Sequence, residues 1–220
     1  MPEKKEKPVD HVILRSYPKV IFFWPLLITS FILWLLQLLY PTPVAIFGNV
    51  WMIVFFINLF IIAFDFSSTK FFVLVLIIVV VILLLIFLVI PNYALPALPA
   101  FNLMITAEFY LAVTLILVFI LGLVVLSSRF DYWKIERNEI YHKSGIFTSA
   151  ERIPTKSLRI KKSIPDVFEF FLLRSGSITL MPGHGDVIPL NTVLNVNKKA
   201  NQIDTLLSYL SVEPDEVDGV

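Results

Sequence analysis

Between residues 20 and 126 the chain runs for 107 residues with only three charged side chains, Asp65, Lys70 and Glu108. The other 32 of its 35 charged residues fall in the first 19 and the last 94 positions. A soluble domain keeps about a quarter of its residues charged, whereas this chain has 16% and a mean hydropathy of +0.82. A block of this kind belongs in lipid, so a soluble globular fold is excluded. Cysteine is absent, which removes disulfides, thiol catalysis and cysteine-ligated metals.

A helix needs about 20 apolar residues to cross the hydrocarbon core. Four segments meet that length, at about 20–39, 44–64, 71–90 and 103–126. The first is stopped by Pro41 and Pro43, which cannot continue a helix. The second ends at Asp65, and the third carries no polar side chain. Pro91, Pro96 and Pro99 break the chain after it. The expectation is a four-helix transmembrane α bundle. The apolar run of the first span is too long for a signal peptide, and no small-x-small pattern follows Gln37, so it reads as an uncleaved anchor.

Lysine and arginine set the orientation. Five lie in residues 1–19, one (Lys70) in the middle loop, and twelve after Leu126, which accounts for all 18. The loops at 40–43 and 91–102 contain none. Four crossings then put both termini and the middle loop in the cytoplasm, with 1–19 as a cytoplasmic tail.

From residue 127 the pattern changes to alternation with period two. Tyr132–Glu136, 140–143, 146–153, 157–164, 176–181 and 186–190 read as strands, and 167–173 as a short helical turn. Gly145 and the stretch from Pro182 to Gly185 mark turns. A helix at about 198–211 places Ile203, Leu206, Leu207 and Leu210 on one face, with Asn195 or Asn197 as its cap. The acidic end, 213–220, reads as a solvated disordered tail.

The order Tyr132-Trp133-Lys134-Ile135-Glu136, Ile140, Gly145-Ile146-Phe147, Arg152-Ile153-Pro154 and Leu173 to Leu180 resembles the bacterial pleckstrin-homology-like (PH-like) domain. The likeness covers roughly 130–211 and rests on turn glycines and core aliphatics. It implies a C-terminal cytoplasmic PH-like split β-barrel over 127–212, capped by one α-helix. It also implies attachment to membrane spans, a tendency to self-associate, no established catalytic residues, and a place in the bacterial cytoplasmic membrane.

Lys156, Arg159, Lys161 and Lys162 form the densest basic stretch in a region, 127–212, with 12 basic and 8 acidic residues. Beneath a bilayer such cations attract anionic lipid at about 1 kcal/mol each, so these four are candidate headgroup contacts. The competing reading is a solvated strand face. Asn58 and Glu108 are the candidate intramembrane polar contacts, Glu108 falling near the outer interface. Asn58, Gln37, Thr106 and Thr114 read as donors and acceptors of single interhelical hydrogen bonds. His11, His142 and His184 are scattered, and no nucleophile–base, phosphate-loop or metal-ligand spacing occurs. No catalytic, cofactor or metal residue is therefore expected, and a nucleic-acid partner is not expected.

The functional expectation is a non-catalytic multi-pass membrane protein whose cytoplasmic domain mediates self-assembly or docking to a larger membrane complex. Its partners would be membrane lipids and copies of itself or a membrane complex. Two alternatives are an anionic-lipid-responsive sensor and an accessory subunit of an export or envelope-stress system.

Overall fold

The computed structural model describes residues 10–89, 102–145, 151–155, 158–183 and 186–208. The chain divides into two compact units. One comprises Lys19–Leu123 with Pro165–Phe168, and the other comprises Met1–Pro18, Val124–Ile164 and Glu169–Val220.

In the first unit a 3₁₀ turn over Lys19–Phe23 leads into α1 (Trp24–Gln37), followed by α2 (Ala45–Ala63) and α3 (Ser68–Leu84), which ends in a π turn over Leu85–Val89. The helix α4 (Ala107–Phe130) comes last. All four are long and apolar enough to cross a membrane. Pro25 stands in the first turn of α1, where a missing N–H costs nothing.

Only three of the four share a core. Leu26 and Leu33 of α1, Trp51 of α2, and Tyr110 and Leu117 of α4 pack together, whereas α3 has no buried residue. The four-helix bundle expected from sequence is therefore, among the described residues, a three-helix core with one helix outside it. The approach of the α4 lead-in is close. A Cβ on Gly48 would come within 2.0 Å of the Leu103 carbonyl oxygen, so only glycine fits there. The neighbouring Asn49 side chain accepts a hydrogen bond from the Leu103 N–H at 3.3 Å.

The second unit holds two antiparallel sheets. The first has the order β1-β2-β3-β4, built from His11–Leu14, Asp131–Glu136, Glu139–Ser144 and Glu151–Pro154. The second has the order β5-β6-β7, from Arg159–Ser163, Gly176–Met181 and Ile188–Val193. The short helix α5 (Val167–Leu173) connects β5 to β6, and α6 (Val196–Ser208) follows β7.

The strand β1 departs from the sequence reading, which took residues 1–19 as a tail. His11–Leu14 pairs with β2 in the register His11↔Glu136 to Leu14↔Trp133. Val12 and Leu14 enter one core with Ile135, Ile140, Ile178, Leu180 and the α6 residues Val196, Ile203 and Leu206. Four residues beside a membrane span carry too short an alternation to stand out, and β1 forms only because β2 offers an edge. The chain beyond it then reaches the second sheet. The Ser16 hydroxyl donates to the Asn191 carbonyl at 2.5 Å, and the Tyr17 N–H donates to the Thr192 carbonyl at 3.4 Å. Those acceptors lie where β7 bulges against β6, between Gly176 and Ile178, and Thr192 takes a positive φ of 50° there. The last helix begins two residues earlier than expected, at Val196, and Leu210 and the acidic tail lie outside the described residues.

Leu14 has no exposed surface, and truncating such a core leucine costs about 2–5 kcal/mol. Leu14→Ala should accelerate hydrogen exchange across β2 and β3 while leaving α1, α2 and α4 protected. Unchanged exchange in β2 would mean that β1 does not hold the sheet.

Candidate functional site

The predicted cationic stretch falls on β5, at the edge of the three-stranded sheet. Residues paired across antiparallel strands share a face. Ile160 lies opposite Leu180 and Lys162 opposite Ile178, both partners fully buried, while Lys161 lies opposite Thr179. The strand therefore sends Arg159 and Lys161 to the outer face. Lys162 stands on the core side but at the strand end, where it stays exposed. Lys156 lies outside the described residues. Of the four predicted contacts, the fold brings Arg159 and Lys161 together and turns Lys162 away from them.

Among the described residues these three cations form no ion pair, which sets β5 apart from the first sheet. There Lys134 meets Glu136 at 2.5 Å, Arg152 meets Glu139 at 3.6 Å, and the Arg152 guanidinium lies 5.2 Å from the centre of the Tyr141 ring. The Glu136 carboxylate, hydrogen bonded to the Lys134 ammonium, holds it above its usual pKa. Hydrogen bonding to Glu139 and burial push the Tyr141 phenol up. Lys134 and Arg152 are thus paired within the first sheet, whereas the cations of β5 face solvent.

A second basic cluster was not legible in the sequence. Arg15, just beyond β1, lies close enough to Lys199 near the start of α6 for their charges to interact. Burial, then the charges of Arg15 and Lys198, push the Lys199 ammonium below its usual pKa. Arg15 Nε is shut off from solvent with no hydrogen-bond partner. The signal was hidden because Arg15 sits in a segment that reads as a tail. Equally unannounced is the stack of Trp133 on His142, with ring centres 3.9 Å apart and planes 3° from parallel, and His142 Nε2 lying 3.3 Å from the Asp131 carboxylate.

The polar residues of the helices act mainly on one another's backbones. Asn58, 3% exposed, accepts a hydrogen bond from the Leu26 N–H at 3.3 Å. Leu26 lies in the first turn of α1, where N–H groups lack helical acceptors, so α2 supplies a cap to α1. Ser30 accepts the Trp51 indole N–H at 2.8 Å. Gln37 donates to the Thr42 carbonyl and accepts from the Val44 N–H, bridging the turn between α1 and α2. The Thr114 hydroxyl bonds back to the Tyr110 carbonyl of its own helix. Glu108 is exposed in the first turn of α4 and is hydrogen bonded to the Thr106 side chain, a position favoured by the helix dipole. It lines a cleft of about 360 Å³ with Gln37, Tyr40, Thr42 and Pro43. Asn58 and Glu108 belong to different ends of the three-helix core and form no joint site.

The link between α2 and α3 is also pinned. The Asp166 carboxylate, 1% exposed, accepts the Phe66 N–H at 2.5 Å, and the Val167 N–H donates to the Phe66 carbonyl at 2.9 Å. Phe168 meets Phe66 and Phe71 edge to face. Lys19 pairs with Asp65 beside it.

Among the described residues no group of three or more His, Asp or Glu side chains gathers as a metal would require. No family profile, curated protein or solved structure matches the chain. What the geometry presents is a cationic strand edge on the sheet unit.

Proposed function

We propose that the chain is a multi-pass protein of the bacterial cytoplasmic membrane, with both termini in the cytoplasm and a PH-like domain that docks it to copies of itself or to a larger membrane complex. The observation that carries this reading is the set of open sheet edges. The outer edge of β4 and the outer edge of β5 have no strand beside them among the described residues, and open edges take up further strands. They differ in chemistry. Lysine on an edge discourages strand pairing, so Lys161 and Lys162 turn β5 away from this use. On β4 the one basic residue, Arg152, is already engaged by Glu139. Of these two edges, strand addition therefore belongs to β4. The two antiparallel sheets followed by a helix support the PH-like assignment. The reading gives the domain no catalytic role and needs no cofactor.

Sidedness draws support from the pairing of β1 with β2. One strand precedes the four apolar helices and the other follows them, which suits an even number of crossings. The absence of native cysteine makes this directly measurable. Thr42→Cys and Lys70→Cys, each labelled with a membrane-impermeant maleimide, should react from opposite faces of sealed vesicles, with Lys70→Cys on the cytoplasmic face. Labelling of both from one face would sink the topology.

Assembly is read from the mass of the particle released by mild detergent. A discrete multiple of 25.2 kDa, or a stoichiometric partner, is expected. A bare monomer would refute docking.

A second reading, contact with anionic lipid, is favoured by the unpaired exposed cations of β5. The isolated 127–220 segment would lack Val12 and Leu14, so the full chain in nanodiscs is the object to measure. Amide protection over 159–163 should rise in phosphatidylglycerol relative to phosphatidylcholine, and Arg159→Glu with Lys161→Glu should erase the difference. Equal protection in both lipids would remove this reading. An accessory role in export or envelope stress would be read from the partner, if one co-purifies.

A further inference from the structure

A cleft of about 670 Å³ opens between α2 and α3 and is lined only by apolar side chains. Phe56, Phe60 and Phe64 come from α2, Leu74 and Ile78 from α3, and Phe168 closes the end nearest the interhelical link. The lining runs from Phe56 of α2 to its cap Phe64, about 12 Å at 1.5 Å per residue, and from Leu74 to Ile78 on α3, about 6 Å. That is the depth of an acyl chain entering from the interface, not of a full crossing.

The chemistry of α3 selects the occupant. Membrane helices pack on one another through small residues and interhelical hydrogen bonds. Residues 71–89 contain no Gly, Ala, Ser or Thr and no charged or amide side chain, so this face has nothing with which to hold a second helix. Lys70, Leu74 and Ile78 recur at intervals of four and therefore lie on one stripe of α3. Lys70 thus stands one turn beyond the cleft on the side where it meets the interface. It is exposed and forms no ion pair among the described residues, whereas the nearby Asp65 is paired with Lys19. A cation at the mouth of a wholly apolar cleft is complementary to a lipid with an anionic phosphate and a hydrocarbon tail.

We propose that the α2–α3 cleft is a binding site for one anionic diacyl phospholipid, its acyl chain against Phe60, Leu74 and Ile78 and its phosphate against Lys70. The inference rests on α2 and α3 crossing the membrane and is independent of what the sheet unit docks with. The full-length protein in neutral detergent, given equal phosphatidylglycerol and phosphatidylcholine, is read by native mass spectrometry. One phosphatidylglycerol per chain is expected, preferred about fivefold, the factor one interfacial cation supplies. Lys70→Gln should bring the preference to parity, and Lys70→Arg should keep it. Leu74→Trp, which fills the cleft, should reduce retention of both lipids. Equal retention of the two lipids by the wild type would overturn the proposal. So would undiminished retention in Leu74→Trp, or a dimer that persists as lipid is added and excludes it. No selectivity in the wild type, while Lys70→Cys still labels from the cytoplasmic face, would refute the cleft and leave the topology standing.

Discussion

The pairing of β1 with β2 is the contact on which the sheet unit depends. It joins a strand that ends at Leu14 to one that begins at Asp131, so the whole helical block is an insertion between neighbouring strands. Closing so long a loop has an entropic cost that grows only slowly with length. Burial of Val12 and Leu14 offsets it at roughly 1.5–3 kcal/mol for each side chain. The same segment goes on, through Ser16 and Tyr17, to bond with the second sheet at the β7 bulge. Without residues 11–17 the first sheet loses an edge strand, the common core loses two members, and the sheets lose the bonds that stitch them.

The bulge in β7 has a cause in the same contact. Between the paired positions β7 sets two residues, Asn191 and Thr192, against the single Ser177 of β6, and their carbonyls accept from Ser16 and Tyr17. Positive φ is unfavourable for a β-branched residue, so the surroundings must impose it on Thr192. Gly176, opposite Val193, could carry no side chain, because a Cβ there would lie 2.8 Å from the Ser163 carbonyl oxygen and 2.9 Å from a Val196 methyl carbon. Glycine in this place lets β6 approach both β5 and α6.

The sequence made the long-range composition legible and the short-range pairings less so. Four apolar segments announced four long helices, because twenty residues of one character are unmistakable. The stretches 167–173 and 176–181 also match α5 and β6. The strand β1 was missed because four residues give a period-two pattern no room to show itself. The basic run 159–162 looked like one patch because sequence distance ignores the alternation of a strand, which separates Lys162 from Lys161. Arg15 with Lys199, and Trp133 with His142, were invisible for the simpler reason that they are neighbours only after folding.

The exclusion of α3 from the helical core was legible in principle, and for a physical reason. In lipid no hydrophobic force drives apolar helices together, so close packing, small residues and hydrogen bonds must do so. The three helices of the core have these devices. Gly48 admits the Leu103 backbone, Ser30 holds the Trp51 indole, and Asn58 caps the first turn of α1. Trp51 also stacks on Phe55 and meets Phe109 edge-on at 5.1 Å. None of these devices occurs in residues 71–89, the most hydrophobic stretch of the chain. Hydropathy, which identified α3 most clearly as a span, is thus the property that leaves it without a protein partner in the core. The residues that decide helix packing are the ones that lower the hydropathy of the other three.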